Sequence, residues 1–170
     1  TISNGDMASL NTLTGTGNDY TITVTDAQVT AADLNALNTK TDKLIAVDNV
    51  IGITGSVADV KKFYADADKV VGGGNNTKTD FTNTSDNEAV TLTDTTVDAG
   101  DLAVIRAAAG PGTSGAVTLS NVTTLTGTSA EINSAFGFGN VSGIPANVAV
   151  TVKEAAVIAA NVNAINGNTT

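Results

Sequence analysis

Apolar and polar residues alternate in three short stretches of the chain, which begin at Ile22, Val90 and Val150. Each stretch has the period of two that is typical of a strand with one buried face. After each stretch the apolar spacing changes to three residues, as on one face of a helix. The pattern therefore predicts a short strand followed by a short helix, three times along the chain.

These stretches are copies of one pattern, which we call the first-type unit. It spans Ile22–Leu37, Val90–Ile105 and Val150–Ile165, and the apolar residues of its helical part keep the same offsets in every copy. A fourth copy, without its strand, is predicted at Ile2–Leu10. Recurrence of this kind indicates a chain built from stacked repeats.

A second pattern alternates with the first, and we call it the second-type unit. Its two copies begin at Ile53 and Leu125, and each passes through a Thr-Gly pair into a helical spacing. Short apolar runs at 44–47 and 116–119 lie between a helix and the next strand. The repeats divide a single domain, 1–170, into a partial unit at 1–19, repeats at 20–87 and 88–147, and a partial unit at 148–170.

Hydroxyl and carboxylate side chains mark the predicted helix starts. Thr30, Ser56, Asp98 and Thr128 are each followed three residues later by Asp or Glu, which is the spacing of a capping box or a close variant. In this motif the side chains satisfy backbone N–H groups that the first helical turn leaves without partners. We therefore expect a helix to begin at each of these positions.

Alternating strands and helices favour parallel strands joined by helical connections. Because the helices are short and the units are alike, we expect an α/β fold. More specifically, we expect a repeat (solenoid-like) array of short parallel strands and short helices. The alternative is a β-sandwich that uses the same strands with short connecting helices.

The composition narrows the classes of function. The chain has 17 Asp and Glu against 8 Lys and Arg, a net charge of -9, which repels nucleic acid phosphates and anionic lipid. It has no His and no Cys, so the commonest general base and the thiolate metal ligand are missing. No apolar run approaches the length of a membrane span. We therefore expect no enzyme, no catalytic or metal site, no nucleic-acid partner and no membrane span.

Calcium is the one cofactor that the sequence leaves open. Asp26, Asp94 and Glu154 share one repeat position directly after the strand, where a turn or cap acid is the simpler interpretation. The long loop 66–87 starts like an EF-hand loop but lacks the third ligand and the glycine of that motif. We therefore expect no cofactor, with calcium as the alternative.

The stretches Val90–Leu102, Val122–Asn133 and Ala32–Thr41 resemble tandem Thr/Ala/Asn-rich repeats of giant secreted cell-surface proteins of the marine cyanobacterial type. The resemblance covers nearly the whole chain apart from the loop 66–87. It implies an extracellular, cell-surface location and a role in display, adhesion or a surface coat. It implies no catalysis.

Both ends of the chain carry apolar residues for which the sequence predicts no cover. The predicted self-association interface consists of Ile2, Met7, Leu10, Val150, Val152, Val162 and Ile165. Repeat arrays need polar end units to stay soluble, and head-to-tail contacts generate rings or open filaments. We therefore expect a structural module that associates with itself head to tail, or one section of a longer array. The alternative is a calcium- or glycan-binding adhesin module that recognises a surface ligand with the loop 66–87.

Overall fold

The structure, a computed structural model, describes residues 4–66, 81–82, 88–109 and 116–169. Its helices are α1 (Met7–Leu10), α2 (Ala31–Asn38), α3 (Val57–Asp66), α4 (Ala99–Ala108), α5 (Ser129–Phe136) and α6 (Ala159–Asn168). Its strands are β1 (Ile22–Thr23), β2 (Gln28–Thr30), β3 (Ile45–Ala46), β4 (Gly52–Gly55), β5 (Phe81–Thr82), β6 (Ala89–Leu92), β7 (Thr96–Asp98), β8 (Val117–Thr118), β9 (Thr124–Gly127), β10 (Val141–Ser142) and β11 (Ala149–Val152). None of these described helices is long and apolar enough to cross a membrane.

The described strands pair in parallel throughout and form three sheets. The strand order is β1–β3–β5 in the first sheet, β2–β4–β6–β8–β10 in the second and β7–β9–β11 in the third. Parallel strands joined by helices confirm the predicted α/β class. They do not fit the alternative β-sandwich, because sandwiches of that kind are built from antiparallel sheets.

The helices begin where the capping residues predict. The Thr30 hydroxyl accepts a hydrogen bond from the backbone N–H of Asp33 at 3.0 Å. Ser56 and Asp98 accept equivalent bonds at α3 and α4, and Thr128 forms a complete capping box at α5. Each such cap stabilises its helix by about 1 kcal/mol, so local sequence fixes where these helices start.

The core consists of columns of aliphatic side chains beneath the strands. In the second sheet Val29, Ile53, Val90 and Val117 are in register on four neighbouring strands, and all are buried. Neighbouring strands lie about 4.8 Å apart, so β-branched side chains stack directly on one another. This narrow packing explains how a chain with only 4% aromatic residues builds its core.

Strand β6 connects the units on its two sides. It pairs with β4 along residues 89–92, and its Val90 and Thr91 pair on the other edge with β8. Strand β1 has the same repeat position: it pairs with β3, and Val24 just after it bridges to Gly5. Strand β11 is the third copy of this position, but among the described residues it pairs with β9 alone. No described strand pairs with its outer edge.

Helix α1 belongs to a second-type unit, which corrects the assignment of Ile2–Leu10 to the first type. The backbone carbonyl of Gly5 accepts a hydrogen bond from the N–H of Thr25 at 3.0 Å, as that of Gly55 does from Thr93. The same order of glycine, capping residue, alanine and apolar residue occurs in Gly5–Leu10, Gly55–Val60 and Gly127–Ile132. The spacing of apolar residues does not distinguish a first-type unit from a second-type unit. The hydrogen bonds accepted by the glycine carbonyls do distinguish them.

Candidate functional site

The acids that recur after the strand connect successive units. The Asp26 carboxylate accepts a hydrogen bond from the backbone N–H of Met7 at 2.7 Å, and Asp94 accepts one from Val57 at the same distance. In the third copy the corresponding pair is Glu154 and Ser129. The donors begin α1, α3 and α5, where the helix dipole favours a negative charge. Asp26 and Asp94 are thus caps, each of a helix in the preceding unit, whereas Glu154 accepts its hydrogen bond from the side-chain hydroxyl of Ser129.

One groove, of about 550 Å³, gathers Asp94, Asp98 and Asp101 beside Lys61. Lys61 pairs with Asp101 at 2.5 Å, and Lys153 pairs with Asp98 at 2.6 Å. The hydrogen bond from Lys153 is the main cause that holds the pKa of Asp98 below its ordinary value. Since Asp94 caps α3, each of the three acids already has a structural partner. The described part of this groove presents no side chain poised as a general base or nucleophile.

The calcium alternative depends on the loop 66–87, most of which lies outside the described residues. Within the described part of the chain, no group of three or more His, Cys, Asp or Glu side chains is arranged to hold a metal ion. The calcium- or glycan-binding role of this loop therefore stays a prediction.

The seven residues predicted as an interface differ widely in exposure. Three are buried in the chain's own core: Met7, Leu10 and Ile165. Two are half-buried, Val150 and Val152, while Val162 is exposed and Ile2 lies outside the described residues. The first three need no partner to cover them, which corrects the expectation that they lack cover. Among the described residues, three of the exposed large apolar side chains lie on the C-terminal unit, and three others, Leu44, Ile51 and Val104, lie elsewhere.

We call the exposed apolar surface of this unit the C-terminal apolar face: Val157, Ile158, Ala159 and Val162. The side chain of Val157 is 43% exposed, whereas Val29 and Val97 at the same repeat position are 6% and 1% exposed. This repeat position is therefore buried in two of its three copies and exposed in the third.

The other positions of the face show the same contrast. Val162 is 44% exposed, while Leu34 and Leu102 at its repeat position are fully buried. Ala159 is exposed, although its counterparts Ala31 and Ala99 are fully buried. Burial of these positions is thus a property of the inner first-type units.

A second-type unit covers the counterparts in both inner cases. Helix α2 packs against α3 and α4 against α5, while β2 pairs with β4 and β7 with β9. Residues 156–158 hold the place of β2 and β7 in the repeat but form no strand. The C-terminal apolar face thus presents, in exposed form, the positions that the two inner first-type units bury against the second-type unit that follows.

The inner junctions are tight at a glycine of the second-type unit. A Cβ added at Gly55 would lie 3.1 Å from the Cβ of Ala31, and one at Gly127 would lie 3.3 Å from that of Ala99. These distances are below an ordinary van der Waals contact. Glycine therefore permits the second-type unit to approach the first turn of the preceding helix this closely.

Sequence reasoning did not single out Val157, Ile158 or Ala159 as surface residues. Val157 is an anchor of the repeat pattern, and in a repeat array the anchors of inner units are buried.

No family model, curated protein or solved structure matches the chain. Its function is therefore argued from the geometry of its own residues.

Proposed function

We propose that this chain is a non-enzymatic structural module that associates with itself end to end into a filament or coat at an extracellular cell surface. One observation carries the proposal. The positions of the C-terminal apolar face are exposed, although the same positions are buried wherever another unit follows. Burying this face against a second copy removes apolar surface from water. The favourable free energy of that transfer is about 25 cal/mol per Å² of apolar surface buried.

The proposed architecture is a solenoid-like array. Two observations support it: strands of successive units pair in parallel register, and each helix from α2 to α5 packs against the next. In such an array each unit contacts mainly its neighbours. The array grows by adding units at an end, and a second copy is one source of them.

The extracellular, cell-surface location is supported by composition and by the resemblance to secreted repeats. The chain is only 15% charged and has no cysteine, so its fold needs no disulfide. Antibody labelling of intact source cells tests the location. Labelling without permeabilisation is the expected result, and labelling only after permeabilisation contradicts it.

Sedimentation and negative-stain electron microscopy of the purified chain test self-association. We expect ordered linear assemblies whose mass increases with protein concentration. Val162→Asp places a charge on the C-terminal apolar face and should abolish them. Val104→Asp is the matched control, because Val104 is also exposed, at 55%, but lies on α4 away from this face.

Two outcomes would overturn the proposal. One is a wild-type chain that stays monomeric up to millimolar concentration with a folded circular dichroism spectrum. The other is an equal loss of assembly in Val162→Asp and Val104→Asp, which would mean that assembly does not depend on the C-terminal apolar face.

A further inference from the structure

Hydroxyl side chains form a regular row across the second sheet. Thr54 of β4 is in register with Thr91 of β6, which is in register with Thr118 of β8. Ser142 of β10 continues the row. The two neighbours of Thr91 along β6 are fully buried, and successive side chains of a strand point to opposite faces. The row therefore lies on the face of the sheet that is turned away from the core.

Two further hydroxyls extend this row into a grid. Thr93 and Ser120 each follow a member of the row by two residues, and both are exposed. Neighbouring strands lie about 4.8 Å apart, and two residues along a strand span about 6.6 Å, so the hydroxyls repeat in two directions. We call this surface the hydroxyl grid: Thr54, Thr91, Thr93, Thr118, Ser120 and Ser142.

The protein itself does not use the hydroxyls of the grid. Within residues 4–66, 81–82, 88–109 and 116–169, none of the six side chains forms a hydrogen bond. In the third sheet, by contrast, Thr126 holds the repeat position of Thr54 and donates a hydrogen bond to Asp98 at 3.2 Å. A hydroxyl offers one donor and two acceptor sites, so the grid presents a regular set of both to solvent.

A grid of this kind is a template for ordered water. Threonine is β-branched and has few side-chain rotamers, and parallel pairing fixes the strands that carry it, so the hydroxyls keep similar positions from strand to strand. A set of groups that is already ordered loses little entropy when it binds an ordered partner. Ice presents rows of water oxygens with repeats of similar size, and each of these waters donates and accepts hydrogen bonds.

The side chains of these strands favour ice over a polysaccharide, which is the other extended partner rich in hydroxyls. Strands β4, β6, β8 and β10 carry no charged and no aromatic side chain. Sugar rings commonly stack on aromatic faces, which this surface lacks. A charged group holds its own water strongly and would disturb a matched water lattice, so the lack of charge fits ice.

We infer that the hydroxyl grid binds the surface of ice crystals. This binding goes beyond the proposed function and does not depend on self-association. The grid lies on the second sheet, whereas the C-terminal apolar face lies at and before α6.

Thermal hysteresis tests the inference. It is the gap between the melting and freezing temperatures of a single ice crystal held in a solution of the purified chain, and we expect a measurable gap with faceted crystals. Thr91→Tyr places a bulky ring in the middle of the grid and should lower the gap at least fivefold. Thr151→Tyr is the matched control and should leave the gap unchanged, because Thr151 holds the repeat position of Thr91 on β11 and is exposed outside the grid. Thr118→Tyr is a second grid variant, used if Thr91→Tyr does not fold by circular dichroism.

The same measurements in a Val162→Asp background separate ice binding from self-association, so either proposal can fail while the other stands. A folded wild-type chain that neither lowers the freezing temperature nor shapes the crystals would overturn ice binding. An equal loss in Thr91→Tyr and Thr151→Tyr would show that the grid is not the binding surface. Retention of the chain on insoluble cellulose or chitin, without any effect on ice, would also overturn the inference and identify a polysaccharide as the partner.

Discussion

At the scale of single residues, one acid per repeat fixes how two units meet. Asp94 lies just after β6 in sequence, yet its carboxylate binds the first N–H of α3 in the unit before it. A carboxylate at a helix N-terminus forms a charge-assisted hydrogen bond and also interacts favourably with the helix dipole. The acid therefore links the turn after a strand to the start of a neighbouring helix.

Replacement of Asp94 tests this linking role. Asp94→Ala leaves the backbone N–H of Val57 without its partner, so we expect the free energy of unfolding to fall by about 1–2 kcal/mol. Urea unfolding followed by circular dichroism measures the change. Asp48→Ala is the control, because Asp48 is exposed and surface changes of this kind usually stay within about 0.5 kcal/mol. Equal effects in the two variants would contradict the capping role.

The ion pair of Asp98 and Lys153 makes part of the stability depend on pH. The pKa of Asp98 is lowered in the folded chain by the hydrogen bond from Lys153. A lowered folded-state pKa gives stability that is complete above the unfolded-state pKa and is lost as the pH falls through the folded-state value. Lys153→Gln should therefore lower the free energy of unfolding at pH 7 by the small amount expected of an exposed ion pair. This loss should shrink as the pH falls below about 4, the pKa of an Asp in the unfolded chain, and vanish once Asp98 is protonated in the folded chain.

Urea unfolding of the wild type and Lys153→Gln at several pH values measures this difference. Lys43→Gln serves as a comparison, since Lys43 pairs with a more exposed acid, Asp19. We expect a smaller difference from the wild type for Lys43→Gln at every pH. A loss in Lys153→Gln that does not shrink as the pH falls from 7 into the range where carboxylates become protonated would mean that Asp98 is not the group involved.

At the scale of helices and strands, the sequence predicts well those features that depend on residues close together along the chain. The starts of α2, α4 and α5 follow from Thr30, Asp98 and Thr128, because a cap and its helix lie within three residues of each other. The partners of β6 do not follow from its own residues. Pairing on both edges depends on β4 and β8, which lie far away along the chain.

Dependence on residues far away along the chain also explains the errors in the predicted self-association interface. Met7 and Leu10 have the apolar pattern of an uncovered end, and their burial comes from the strand and acid of the following unit rather than from local sequence. Val157 shows the converse: it has the pattern of a buried anchor and is exposed. Periodicity identifies residues that favour burial, whereas the count of neighbouring units decides which of them are buried.

Helix α6 differs from the other first-type helices at its first position. Ile158 occupies the N-cap and makes no side-chain cap hydrogen bond, where α2 has Thr30 and α4 has Asp98. Ile158→Thr should restore the cap and stabilise α6 by about 1 kcal/mol. Hydrogen exchange of the α6 amides measures this directly, with slower exchange expected in the variant. Unchanged exchange at α6 would show that the cap does not limit this helix.

At the scale of the whole molecule, charge is unevenly distributed along the chain. Residues 19–154 carry 16 Asp and Glu against 8 Lys and Arg, while residues 155–168 are uncharged. On the proposed self-association, the uncharged C-terminal unit is a surface at which two copies meet with little electrostatic repulsion. Contacts between the charged middle parts of two copies bring like charges together, which disfavours side-by-side association.

A change of ionic strength distinguishes electrostatic repulsion between copies from burial of the C-terminal apolar face. Salt shortens the range of electrostatic repulsion from about 10 Å at 0.1 M to about 3 Å at 1 M, whereas burial of the C-terminal apolar face is not weakened by it. We therefore expect assemblies to lengthen several-fold as sodium chloride rises from about 20 mM to about 500 mM, a range over which screening increases strongly. Sedimentation velocity measures the mass distribution, and Val162→Asp should remain monomeric at both concentrations. Dissociation by salt would instead mean that ion pairs hold the copies together, which would move the contact away from the uncharged C-terminal unit.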